Sequence, residues 1–175
     1  TLESIYSVNI AAVVGGSADV TPNKTVAAAG EMVTIDIANI QAGHRFVSIL
    51  VKDASNNTIA TTTVSAGVQY TFAMPASAAT VTVTLESIYS VNIAAVVGGS
   101  ANVTPNKTVA AENEMVTVNI SNVELGKRFS SISVKTLGDI HVNVTEIVYR
   151  EIYTFIMPAD AVNITVSLES VDYNI

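Results

Sequence analysis

The chain has 175 residues, of which 49% are apolar and only 13% charged, and its formal net charge is −7 at pH 7. Its eight basic residues are scattered along the sequence, so we expect no face that neutralises nucleic-acid phosphates. No apolar run approaches the ~20 residues of a membrane-spanning helix, so membrane insertion is not expected, and the absence of cysteine excludes disulfide bonds and the commonest zinc sites.

Apolar side chains recur at every second position of the first half of the chain, which predicts half-buried β-strands. The predicted strands, in chain order, are residues 5–14, 17–21, 32–37, 45–53, 58–64, 69–74 and 80–84. Turn-forming Gly, Pro and Asn residues separate them. The nearest helix candidates, residues 25–29 and 76–79, are about one turn long and marginal without tertiary support.

The same pattern returns after 83 residues, so the chain is a tandem repeat. Residues 1–35 recur as residues 84–118 with four changes, and the second halves diverge while keeping their register. A Ser-Leu-Glu-Ser segment at residues 167–170 then matches the start of a third copy. We expect the chain to be a segment of a longer array, with any signal peptide or anchor elsewhere.

These repeats predict two modules and the start of a third. The first module covers residues 1–84 and the second 85–167, while residues 168–175 are the start of a third copy or a closing strand. Seven short strands at this spacing favour a small antiparallel β-sandwich of the immunoglobulin-like kind. The predicted fold is therefore all-β, with two tandem sandwich modules.

The junction between the copies has apolar residues at nearly every odd position from Val81 to Val97, with no Gly or Pro before Gly98. This pattern predicts one strand that runs from the first module into the second. Ser87 is the polar exception, so we place the module boundary and any bend there. A continuous strand leaves little hinge, which favours an extended rod over flexibly linked beads.

Several motifs resemble a known family. Each module has a Tyr-Thr-Phe-x-Met-Pro-Ala strand, at residues 70–76 and 153–159. The first copy also has Tyr-x-Val, Gly-Gly, Val-Thr-Pro, Gly-Glu-x-Val-Thr and Gly-x-x-Phe motifs, beginning at residues 6, 15, 20, 30 and 43. Over essentially the whole chain these motifs resemble the divergent InlB B-repeat type of bacterial surface repeat, from which the second copy departs at Asn113 and Ile156.

The resemblance implies a secreted or cell-wall-attached bacterial protein, in which such repeats act as tandem spacers beside other domains. It also makes a β-grasp-like module, with a short helix crossing a sheet, the alternative to the sandwich. An extracellular or cell-surface location is therefore expected from the resemblance.

Most of the distinctive side chains have structural interpretations. Tyr70, Phe72 and Met74 point to the same side of one strand and are predicted to lie in the core. His44 and His141 occupy non-equivalent positions with no second ligand beside them, so we interpret them as surface or turn residues and not as metal ligands.

The oxygen-rich segment at residues 53–58 has the composition of a calcium-binding loop. The equivalent segment of the second copy lacks that composition, so Asx-turn chemistry explains the first segment better. No metal or other cofactor is predicted.

No catalytic constellation is found, so we expect a non-enzymatic protein. The favoured function is a structural spacer whose partners are neighbouring repeats of the same chain. The alternative is an adhesive module that binds a glycan or a host surface protein. Tyr149 and Arg150 are the candidate binding residues, because Tyr149 stands at a strand end where the first copy has the small Ala66.

Overall fold

The computed structural model describes residues 3–171, which form 17 β-strands and no helix. The prediction of an all-β protein is therefore confirmed. The chain divides into two compact units, Thr1–Ser87 and Ile88–Ile175, which we call unit 1 and unit 2.

Unit 1 contains eight complete strands and the beginning of a ninth. They are β1 (Ile5–Ile10), β2 (Asp19–Pro22), β3 (Val26–Ala28), β4 (Met32–Ala38), β5 (His44–Asp53), β6 (Thr58–Ile59), β7 (Thr61–Ser65), β8 (Gln69–Ala73) and β9 (Ala79–Val97). One sheet is antiparallel, in the order β2-β4-β8-β7. The remaining strands of unit 1 pair in the order β6-β5-β9-β1-β3, to which β9 contributes its first part.

Unit 2 repeats this arrangement with the second part of β9. Its further strands are β10 (Asn102–Pro105), β11 (Val109–Ala111), β12 (Met115–Ser121), β13 (Lys127–Thr136), β14 (His141–Val142), β15 (Val144–Val148), β16 (Ile152–Ile156) and β17 (Val162–Ser170). The antiparallel sheet has the order β10-β12-β16-β15. The remaining strands of unit 2 pair in the order β14-β13-β17-β9-β11.

The alternating sequence explains how the two sheets of each unit share a core. In β4 the side chains of Val33, Ile35 and Ile37 are buried, whereas the intervening ones are turned away from the core. They pack in one apolar cluster with Val81 and Val83 of β9. This two-layer packing is sandwich-like in each unit.

The aromatic strand lies in the core, as predicted. Phe72 is only 2% exposed, and Tyr70 and Met74 are also buried. The Tyr70 ring stacks on Phe46 with 5.3 Å between the ring centroids. Phe129 and Tyr153 form the corresponding pair in unit 2.

One sheet of each unit is mixed and not purely antiparallel, which corrects the expectation of an antiparallel sandwich. Strand β1 pairs with β9 in parallel, and β9 pairs with β17 in the same way. Parallel neighbours need a long connection, and nearly a whole module separates these strands in sequence. Alternating hydrophobicity indicates which face of a strand is buried but not the direction of its neighbour.

One strand was not predicted, and two predicted strands have other bounds. Residues 25–29, named above only as a marginal helix candidate, contain the strand β3, whose Ala27 and Ala28 are small enough to lie buried beside β1. The strand predicted at residues 58–64 is divided into β6 and β7, which belong to different sheets. The first predicted strand ends at Ile10.

The strand β9 is continuous across the boundary between the units. Its residues up to Ser87 pair with β5, and the next three residues pair with β11. The last strand of unit 2, β17, pairs with β13 in the same register, as far as Ser170. The two Leu-Glu-Ser segments, at residues 85–87 and 168–170, are therefore the last paired residues of the closing strands of units 1 and 2.

Candidate functional site

The turn between β15 and β16 carries the two residues that the sequence nominated for binding. Tyr149 is 70% exposed, and Arg150 is partly buried beside it. The Cζ atom of Arg150 lies 4.8 Å from the centroid of the Tyr149 ring. A guanidinium at this distance is attracted by the negative face of the ring, so the two side chains support each other.

Glu146 holds the backbone of this turn. Its Oε1 atom accepts hydrogen bonds from the Arg150 backbone N–H and from the Tyr153 hydroxyl, both at 2.7 Å. The bond from the Arg150 N–H, followed by the bond from the Tyr153 hydroxyl, holds the pKa of Glu146 below its ordinary value. Burial, reinforced by the neighbouring Glu146 carboxylate, raises the pKa of Tyr153.

Arg150 has a φ of 60°, in the left-handed region that side chains other than Gly, Asn and Asp rarely adopt. The equivalent residue of unit 1 is Gly67, with a φ of 68°. The Gly67 N–H donates directly to the Tyr70 hydroxyl, at 2.8 Å. Unit 2 therefore keeps the backbone shape of the turn but places a charged side chain where glycine is the unstrained choice.

Two grooves lie beside this turn, within unit 2. The wider one, of about 650 Å³, is lined by Tyr149 and Arg150 together with polar and charged residues of β12, β13 and their connection. Those residues include Asn119, Ser121, Asn122, Lys127 and Arg128, and Glu151 of the β15–β16 turn also lines the groove. The narrower groove, of about 330 Å³, is lined by the aromatic pair Phe129 and Tyr153 and by Glu146.

The wider groove is cationic although the chain is acidic. Lys127, Arg128 and Arg150 line it, against the single carboxylate of Glu151. The Nε atom of Arg128 lies 2.6 Å from a carboxylate oxygen of Glu169, but within residues 3–171 neither Lys127 nor Arg150 forms an ion pair. Lys127 donates instead to the Ser170 hydroxyl, at 3.1 Å, and Arg150 lies over the Tyr149 ring, so neither of these two charges is neutralised by a salt bridge.

Tyr149 and Arg150 were predicted from the sequence, whereas the other residues of this groove were not. Asn119, Lys127 and Glu151 come from three different elements and meet only in the folded unit. A signal was present in the repeat, because these three positions are Asp36, His44 and Val68 in the first copy. Three of the positions at which the copies differ in charge therefore come together in this groove.

The histidines are not brought together with other candidate ligands. His44 lies 3.3 Å from both the Ala42 carbonyl oxygen and the Ser87 hydroxyl, and His141 is exposed on β14. Over residues 3–171 no group of three or more His, Cys, Asp or Glu side chains is arranged to hold a metal ion.

The segment at residues 53–58 forms a turn, as predicted. The Asp53 carboxylate accepts hydrogen bonds from the backbone N–H groups of Ser55 and Asn57 and from the Asn57 amide. The hydrogen bonds from Asn57 are the main reason that the pKa of Asp53 lies below its ordinary value.

A second surface feature of unit 2 is apolar. Met115, Ile147 and Ile156 are each at least half exposed on the outer face of the sheet β10-β12-β16-β15, and they line a groove of about 570 Å³. In unit 1 the equivalent of Ile156 is Ala73. The departure at Ile156 therefore enlarges a surface patch and leaves the core unchanged, because Ile156 points away from it.

The other departure, at Asn113, also leaves the fold unchanged. Asn113 has a φ of 66° where Gly30 has 83°. Its N–H donates to the Met157 carbonyl, as the Gly30 N–H donates to the Met74 carbonyl. Asparagine tolerates this conformation, so the tight turn is retained.

Comparison with protein-family models, curated proteins and solved structures finds no match to this chain. Residues 3–171 contain no helix that is long and apolar enough to cross a membrane.

Proposed function

We propose that this chain is a spacer segment of a secreted or cell-surface bacterial protein. Its repeats are immunoglobulin-like sandwich modules joined end to end in a stiff, extended stalk. In this role the chain binds neighbouring repeats of its own kind and performs no chemistry. Its contribution to the whole protein is to separate the domains on either side of it.

The single observation that supports this proposal is the strand β9 (Ala79–Val97), which pairs with β5 in unit 1 and with β17 in unit 2 without an intervening loop. A flexible linker between domains is instead rich in Gly, Ser or Pro and makes few hydrogen bonds. No unpaired residue separates the two sets of partners, because β5 pairs up to Ser87 and β11 pairs from Ile88. The proposed stiffness follows from the small number of backbone angles that are left free to change.

The bacterial and extracellular parts of the proposal depend on the resemblance to the InlB-type surface repeats. The Tyr, Phe and Met side chains of the Tyr-Thr-Phe-x-Met-Pro-Ala strand, which carries much of that resemblance, are buried in the core of each unit. A motif that is used for packing is a natural element of a repeat whose role is structural.

Small-angle X-ray scattering of the two-unit protein tests the stalk. We expect an extended particle with a narrow distribution of end-to-end distances. The matched control carries a Gly-Ser-Gly-Ser insertion between Ser87 and Ile88, which interrupts β9 between its pairings with β5 and β17. The insertion should broaden the distribution without altering the melting of either unit.

A compact particle would contradict the stalk. So would an equally broad distribution for the parent protein and the insertion variant, because β9 would then add no stiffness.

A further inference from the structure

We propose that the wider groove beside Tyr149 and Arg150 binds a carboxylate-bearing sugar residue of an acidic glycan. This inference goes beyond the spacer role and does not depend on it. It assigns to unit 2 a ligand that unit 1 is not equipped to bind.

The charge of the groove selects an anion. Lys127 and Arg150 line it and form no salt bridge within residues 3–171, with Glu146 the carboxylate that the Arg150 charge acts on. Arg128 also lines the groove and is paired with Glu169. A guanidinium pairs with a carboxylate through two parallel hydrogen bonds, which fixes the orientation of the ligand as well as its charge. In a chain with a net charge of −7, such a groove is a local exception.

The remaining lining suits a sugar. The Tyr149 ring is 70% exposed and offers apolar surface for the C–H face of a pyranose. Asn119, Ser121 and Asn122 supply amide and hydroxyl groups that can donate to and accept from sugar hydroxyls. The volume of about 650 Å³ lies within the usual range of small-ligand sites, roughly 300–1,000 Å³.

The turn that carries Arg150 is held in a shape that is unusual for arginine. Its φ of 60° and the hydrogen bond from its N–H to Glu146 fix the point from which the guanidinium extends. Strained backbone of this kind is concentrated at functional sites. A backbone that is already fixed reduces the conformational entropy that is lost when Arg150 binds a ligand.

Unit 1 provides an internal comparison. At the positions of Tyr149 and Arg150 it has Ala66 and Gly67, and at the position of Lys127 it has His44. Only Arg45 retains a cation, and Asp36 stands where unit 2 has Asn119. Unit 1 therefore has the same fold but lacks both the aromatic ring and the additional positive charges.

The test is a titration of the two-unit protein with trigalacturonic acid, followed by the backbone amide resonances in NMR spectra. The fully methyl-esterified trisaccharide is the neutral control, and a hexaglutamate peptide is the acidic control without sugar. We expect the acid to shift resonances of residues 119–123, 127–129 and 149–151 and to bind at least ~10-fold more tightly than either control. The equivalent resonances of unit 1 should not move.

Two variants examine the named side chains. Tyr149→Ala removes the ring, and Arg150→Asn removes the charge with a residue that adopts positive φ elsewhere in this chain, as at Asn39 and Asn122. Each should weaken binding ~10-fold. Lys135→Asn is the matched control, because it removes one cation from the opposite end of β13 and should change the affinity by less than about twofold.

Several outcomes would overturn the inference. They are no saturable shifts at about 10 mM acid, equal binding of the methyl ester, or an equal effect of Lys135→Asn and Arg150→Asn. Binding of hexaglutamate as tight as that of the sugar acid, and insensitive to Tyr149→Ala, would identify a general anion patch and contradict the glycan. Unchanged resonances outside the turn verify that each variant is folded.

Discussion

The backbone of Gly15 lies directly against the carbonyl oxygen of Leu85, so that a Cβ added to Gly15 would overlap that oxygen. The same relationship recurs between Gly98 and Leu168 in unit 2. Both glycines have positive φ, of 79° and 84°. The Leu85 N–H also donates to the Val14 carbonyl, at 2.8 Å, so the Gly-Gly turn is hydrogen-bonded to the end of the closing strand.

This contact predicts unequal effects of alanine at two glycines with the same backbone conformation. Gly15→Ala adds both the cost of positive φ and a clash with Leu85, whereas Gly30→Ala adds the cost of positive φ alone, since nothing lies within 4 Å of its new Cβ. We expect Gly30→Ala to lower the free energy of unfolding of unit 1 by about 1–2 kcal/mol and Gly15→Ala by at least about 3 kcal/mol. Urea denaturation measures both, and equal losses would contradict the close approach.

The turn at Gly30 has the same backbone conformation and hydrogen bond in unit 2, which predicts that asparagine is accepted at this position. Gly30→Asn reproduces the residue that unit 2 has at Asn113, where φ and the hydrogen bond of the turn are retained. We expect a loss of less than about 1 kcal/mol in the free energy of unfolding, and a smaller loss than for Gly30→Ala. Thermal unfolding of the two variants side by side checks the order.

The buried aromatic strand predicts a large effect of truncation. Phe72 and Phe155 are 2% and 3% exposed, so Phe72→Ala or Phe155→Ala should lower the free energy of unfolding of its own unit by about 3–5 kcal/mol. Val64→Ala is the control, because Val64 is 57% exposed on an edge strand. It should cost less than about 1 kcal/mol. Calorimetry that found similar losses for Phe72→Ala and Val64→Ala would place the aromatic strand at the surface.

Glu146 predicts an acid-dependent loss of stability in unit 2. Its pKa is lower in the folded unit than its ordinary value of 4.5, so its carboxylate stabilises the fold above that value. This stabilisation is lost as the pH falls through the lowered pKa. Glu146→Gln should remove that part of the pH dependence, and Glu151→Gln, at the start of the next strand, should leave it. Melting temperatures of unit 2 between neutral and acidic pH measure the difference.

Much of the fold was predictable from local pattern. The alternation predicted the strand at residues 32–37, which is β4, and placed Tyr70, Phe72 and Met74 correctly in the core. Which strands pair, and whether they run parallel, was not predictable, because most of a module separates β1 from β9 in the sequence. The strand at residues 26–28 was not predicted for a related reason. Its two alanines favour a helix in an isolated segment, but beside β1 they suit a close-packed edge strand.

The candidate site was predictable only in part, for a similar reason. Tyr149 and Arg150 are adjacent in sequence and were nominated together, but Lys127 and Asn119 join them through folding. The basic residues are scattered along the sequence, so no cationic face could be predicted from it. Their convergence depends on the strand order, which composition does not encode.

The closing strands have a consequence for how such an array gains and loses repeats. Unit 1 is completed by Leu85, Glu86 and Ser87, which belong to the next sequence copy, and Leu168, Glu169 and Ser170 complete unit 2 in the same way. Deleting residues 85–167 would join Thr84 to a second Leu-Glu-Ser segment identical to the first. A deletion of one whole period of 83 residues therefore leaves the remaining unit with an identical closing segment, so the number of repeats can change without the loss of a paired strand.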